Sequence, residues 1–136
     1  MAHIIVGYDS SECSRAALDT AADAAAALGD DLVVVFAYEV SRLGGEVSDY
    51  AVALQERADE VMAHARHQAD AKGVAIEEIV TEEPPAVALL RIGDERDARM
   101  LVVGTRGESP LKGALVGAIP HKLLQLADRP VVVVPA

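Results

Sequence analysis

The chain contains one cysteine, Cys13, no tryptophan, one phenylalanine and three tyrosines in 136 residues. A single thiol excludes a disulfide framework and any four-cysteine zinc site. With so few aromatic rings there is little on which nucleic-acid bases or a flavin could stack. Basic residues are also scarce: 12 Lys and Arg stand against 22 Asp and Glu, a net charge of −10. Such a molecule repels nucleic acid and anionic membrane surfaces, so neither is expected as a partner. No apolar run reaches the roughly 18 residues of a membrane span. Met1-Ala2-His3 leads straight into an apolar stretch without a basic flank or cleavage pattern, so no secretory leader is expected. These absences together predict a cytoplasmic protein kept in a reducing compartment.

What is present alternates between two patterns. Short apolar runs of strand length cover His3–Tyr8, Asp31–Tyr38, Val74–Thr81, Met100–Val103 and Val131–Val134. The second lacks alternation, as a parallel strand covered on both faces should. Glu77-Glu78 marks the third as exposed or at an edge. Between the runs lie helical spacings. Ser10 or Ser11 caps a helix with Ala17, Ala21, Ala24 and Leu28 on one face, and Gly29 stops it. Glu39–Val47 reads as a loop. Ser48 then caps a long helix to Lys72, with Leu54, Ala58, Val61, Ala65 and Ala69 as its apolar stripe and Gly73 after it. Pro85 opens a third helix to about Arg96, with Ala86, Leu89 and Leu90 facing inward, and Ile119–Ala127 is a short fourth. Regular βα alternation without repeat or linker predicts one domain over residues 1–136, a parallel sheet with helices on both faces. In such sheets ligands sit beyond the carboxyl ends of the strands, where strand order reverses.

One segment stands out there. From Gly104 to Gly117 four glycines fall in 14 residues, after a buried strand and before a helix. Glycine permits positive φ and leaves the backbone bare, so N–H groups can approach a phosphate, and the following helix start favours an anion. Local charge agrees: within 104–122, Arg106, Lys112 and Lys122 oppose only Glu108, a balance of +2 in a chain whose remainder carries −12. Other nucleotide signatures are missing. There is no G-x-x-x-x-G-K-[ST], no G-x-G-x-x-G after the first strand, and no acidic cluster at several strand ends. If the first and fourth strands are neighbours, Asp9 and the glycine segment face one crevice.

Ile4-Ile5-Val6-Gly7-Tyr8-Asp9-Ser10-Ser11-Glu12, Leu101-Val102-Val103-Gly104-Thr105-Arg106-Gly107 and Pro130-Val131-Val132-Val133-Val134-Pro135 resemble the universal stress protein family, over essentially the whole chain. Gly104, Gly107 and Gly117 match that family's G-x2-G-x9-G spacing. The resemblance implies an open doubly wound five-stranded parallel sheet in the order 3-2-1-4-5, of the adenine nucleotide alpha hydrolase-like type. It also implies a stress-response regulatory protein that binds ATP, with magnesium, and pairs as a homodimer through the C-terminal strand. Adenine and ribose would lie near Asp9 and Ala37, in a pocket lined by Gly7, Tyr8 and Val103. Phosphates would lie along Gly104, Thr105, Arg106 and Gly107 and at Gly117, Ala118 and Ile119.

Two positions depart from the family pattern. Ala118 replaces the Ser or Thr that would give phosphate a hydroxyl, a bond whose loss lowers affinity about 10- to 150-fold. Pro120 removes an N–H, although proline suits a first helical turn. These changes keep open a same-fold interaction module with a decayed site, beside a slow ATPase or self-phosphorylating protein. Catalysis needs a positioned base or metal-bound water, and only Asp9 and His121 offer one, so no catalytic residue is assigned. For the other polar residues the plain reading is preferred. His64 and His67 form a solvated face without a third metal ligand, His121 lies on a helix surface, Cys13 packs, and Ser109 and Thr105 are loop polarity.

Overall fold

The computed structural model describes residues 2–39, 47–106 and 117–136. Its elements run β1 (His3–Gly7), α1 (Glu12–Leu28), β2 (Asp31–Tyr38), α2 (Val47–Ala71), β3 (Ile76–Glu82), α3 (Pro85–Glu95), β4 (Met100–Gly104), α4 (Ala118–Leu126) and β5 (Val131–Val134). The five strands form one sheet in the order β3-β2-β1-β4-β5, as expected. Every neighbouring pair is parallel.

Successive residues of the central strands point to opposite faces, so both faces need cover. Ile4 and Val6 of β1, Leu32 and Val34 of β2, and Val102 of β4 pack with alanines of α1 and with Ala58, Val61, Met62 and Ala65 of α2. Ile5, Val33, Val35, Leu101 and Val103 pack instead with Ala86, Leu89 and Ile92 of α3 and Leu123 of α4. This two-sided burial explains the unbroken apolar runs. It also explains the alanine-rich face of α1, whose Ala17, Ala21 and Ala25 are at most 1% exposed against the sheet.

The helix ends follow their local chemistry. Ser11 is the α1 N-cap and its side chain accepts the Ser14 N–H, while Gly29 closes the helix in the left-handed region at φ 69°. Pro85 occupies the first turn of α3. Several boundaries differ from expectation by a residue or two, among them the starts of the long helix and of the third strand. The long helix starts at Val47, ahead of Ser48. The third strand starts at Ile76 because Val74 belongs to the preceding helix end: with Gly73 at φ 69°, the Val74 N–H bonds back to the Ala69 carbonyl at 3.0 Å. Ala24, Leu54 and Leu90 are only half-buried, and Leu28 at the end of α1 is exposed. The Glu77-Glu78 pair is exposed on an edge strand, as read.

Candidate functional site

The chain reverses its direction of travel across the sheet between β1 and β4. Ile4, Ile5 and Val6 of β1 pair with Met100, Leu101 and Val102 of β4, so the turn after Gly7 and the segment after Gly104 leave the sheet side by side. The candidate site depends on this adjacency, and the topology provides it.

The contact at this end is close. A Cβ on Gly104 would stand 2.6 Å from both the carbonyl carbon and the Cβ of Cys13, so only glycine lets the first turn of α1 lie against the end of β4. Thr105 continues the contact, its Oγ1 3.5 Å from the Cys13 Sγ. Cys13 therefore packs, as expected. Thr105 then ties three elements. Its N–H donates to the Val134 carbonyl of β5 at 3.0 Å, and its own carbonyl accepts the Gly117 N–H at 2.7 Å. The second bond brings the start of α4 back to the end of β4.

The glycines here serve closeness rather than an unusual backbone angle. Among the described glycines only Gly29 and Gly73 have positive φ, and Gly117 sits at −69°. Gly107, Ser109 and Lys112 lie outside the described residues.

On the β1 side the chain makes a tight turn. The Asp9 Oδ1 accepts the Ser11 N–H at 3.0 Å, and Ser10 between them has φ 63°, a conformation uncommon for a residue with a side chain. The buried Ser14 hydroxyl accepts the Asp9 N–H at 3.2 Å and donates to the Ser11 carbonyl at 3.1 Å. From α2, the Arg57 guanidinium donates to the Asp9 carbonyl at 3.1 Å. Asp9 thus closes the turn ahead of the helix, Ser11 caps it, and the carboxylate stays half-buried at the strand end.

The other sequence-derived positions divide between the two faces. Gly7 lies under Leu89 and Val103, where a Cβ would meet their side chains at 3.1 and 3.4 Å. Val103 is buried and Ala37 half-buried on this α3–α4 side. Tyr8 turns the other way: its ring is 3% exposed in the α1–α2 core, and its hydroxyl donates to the Gln68 Oε1 at 3.3 Å. Arg106 and Ala118 are exposed, while Thr105, Gly117 and Ile119 are half-buried.

At the start of α4 the first N–H groups, on Ala118 and Ile119, have no acceptor within the helix. Pro120 is buried and has no N–H, and the His121 N–H bonds to the Gly117 carbonyl at 3.2 Å. The His121 side chain, like His64 and His67, is exposed. No group of three or more His, Cys, Asp or Glu suited to a metal occurs among the described residues. Nor is any described helix long and apolar enough to cross a membrane.

A cleft of about 550 Å³ lies at the opposite, amino end of the strands, bordered by His3, Asp30, Arg96, Asp97 and Arg99. Its arginines are engaged, Arg99 with Asp30 and Arg96 with Glu77, so its charge is internally balanced. Neither Arg57 nor Ser14 was found from the sequence. A serine one turn into a helix and an arginine on a distant one carry no local signal of a shared turn.

Comparison with known proteins agrees with this architecture. The model of the universal stress protein family matches residues 1–135. The universal stress protein Rv2623 of Mycobacterium tuberculosis is 36% identical over 137 residues, covering 97% of this chain and 44% of the relative. The chain thus spans less than half the length of that relative. Rv1636 of the same organism is 34% identical over 140 residues, covering 96% of this chain and 94% of its own length. Among solved structures, a universal stress protein in complex with cAMP superposes with a TM-score of 0.78 at 30% identity, covering 98% of this chain and 96% of that one.

Proposed function

The chain belongs to the universal stress protein family, and from that premise we propose that it is a stress-response regulatory protein that binds an adenine nucleotide, ATP first, at the carboxyl ends of β1 and β4. The observation that carries the reading is the meeting of the Asp9 turn with the Gly104–Arg106 segment at the reversal of strand order, with Gly117 drawn to the same place by its bond to Thr105. The relative of known structure that holds cAMP supports an adenylate as the ligand class.

Each part of the ligand has a partner of fitting chemistry. The Asp9 carboxylate accepts from ribose hydroxyls or the adenine amino group. Gly7, Ala37 and Val103 offer an apolar floor on the α3–α4 side, and Tyr8 contributes main chain only. Phosphate oxygens would take the Ala118 and Ile119 N–H groups at the positive end of α4 and the nearby charge of Arg106. Magnesium would arrive with the nucleotide, held by phosphate and water with at most one carboxylate. The protein's four-valine edge strand β5 would pair with that of a second copy.

One set of features favours a second reading, an interaction module with a decayed nucleotide site. Ala118 has no hydroxyl, Pro120 has no N–H, and the Gly117 N–H is committed to Thr105. Titration calorimetry with Mg-ATP on nucleotide-free protein separates the two. Measurable heat that disappears in Asp9→Ala supports the nucleotide reading. Absence of heat and of any thermal shift at millimolar ATP supports the module, while phosphate release over hours would mark an ATPase.

A further inference from the structure

Asp9 sits in a turn that must be held from several sides. Ser10 adopts φ 63°, and a side-chain-bearing residue keeps such a conformation only when its surroundings fix it. Three fixing bonds come from the turn and the helix it opens: Ser11 N–H to Asp9 Oδ1, Asp9 N–H to Ser14 Oγ, and Ser14 Oγ to the Ser11 carbonyl. The fourth comes from elsewhere, from Arg57, 48 residues along the chain. Arg57 is carried on a helix that has little freedom, since Ala58 beside it and Val61 one turn on are 1% and 0% exposed in the core.

We propose that Arg57 is a positioning residue for the nucleotide seat: by donating to the Asp9 carbonyl it fixes the Asp9–Ser10 peptide plane and thereby aims the Asp9 carboxylate at the nucleoside half of the ligand. The inference rests on the nucleotide reading above. A guanidinium bond to a carbonyl is charge-assisted and directional. Loss of the bond frees the peptide plane to rotate, and the carboxylate moves with it. The proposed role reaches the ligand through Asp9, so its effect is the same for every ligand sharing the nucleoside. A guanidinium that touched phosphate would instead act more strongly as phosphates are added.

Calorimetric titration of adenosine, AMP and Mg-ATP into the full chain tests this, with Arg57→Gln, Arg57→Lys and Ser14→Ala as variants and circular dichroism melts as the control on folding. Arg57→Gln is expected to weaken adenosine about 3- to 10-fold, the loss of one hydrogen bond's worth of affinity, and to weaken AMP and ATP by the same factor. Arg57→Lys keeps a cationic donor for the Asp9 carbonyl and is expected to return close to wild type. Ser14→Ala loosens the same turn from α1 and is expected to give the same ligand-independent loss. Wild-type affinity for adenosine in Arg57→Gln or in Ser14→Ala overturns the inference. So does a loss that grows from adenosine to ATP, or a lysine variant as weak as the glutamine one. Wild-type protein that takes up none of the three ligands overturns the nucleotide reading and this inference together; wild-type uptake with an unaffected Arg57→Gln overturns this inference alone.

Discussion

Gly104 is glycine because the Cys13 backbone occupies the space a side chain would need. Gly104→Ala forces α1 away from β4 and is expected to lower stability by about 1–3 kcal/mol, read from urea denaturation. Ala118 is the complementary case, an exposed helix start with room for one more donor. Ala118→Ser is expected to tighten ATP about 10-fold in calorimetry, one charge-assisted bond gained. Unchanged affinity would mean that the phosphates lie elsewhere. At this scale the sequence was readable where spacing carries the message: Asp9 after a strand, and glycines at fixed intervals before a helix. It was silent where the message is a contact. Nothing near Ser14 or Arg57 in the chain indicates that both reach the Asp9 turn, and spacing could not say that Gly104 answers to a neighbour rather than to its own backbone angle.

Elements were legible through their ends. Ser11, Gly29 and Pro85 stop or start helices for reasons local to a few residues, and each does so in the structure. Val74 has a strand's local pattern, but a closing turn through Gly73 lets the helix before it capture its N–H. The corner between β3 and α3 is held by charge. Glu83 accepts from the Arg91 guanidinium and, at 2.7 Å, from the Thr81 hydroxyl. Arg91 first, then Thr81, holds the Glu83 carboxyl down from its usual 4.5 to about 2. A carboxylate lowered in the folded state contributes stability above its unfolded pKa and loses it as pH falls through the folded one. The pair is partly exposed, so its contribution is small, about 0.5–1 kcal/mol. Glu83→Gln should therefore be less stable than wild type by that amount at pH 7, and the gap should close between pH 4.5 and pH 2 in urea titrations.

Across the molecule the two sheet edges differ. β3 presents Glu77, Glu78 and Glu82, charges that discourage strand addition. β5 presents four half-buried valines and no charge. Light scattering on the purified protein is expected to give twice the 14.3 kDa chain mass, and Val133→Lys is expected to reduce it to one chain. Strand order was legible through family resemblance, while alternation alone gave a parallel sheet without saying which strands adjoin. The contacts of the sheet edges with other molecules lie beyond any single chain's pattern.

The seam between β1 and β4 joins Ile4 to Met100, two segments far apart in the chain, so its formation carries the entropy of closing a long loop. A ligand that needs both banks of that seam has nothing to grip in a half-built molecule. It therefore acts as a lock on the finished fold and not as a guide toward it. Nucleotide at a hundred times its dissociation constant should add about 2.7 kcal/mol to stability. Almost all of that gain should appear as slower unfolding, with the refolding rate left where it was.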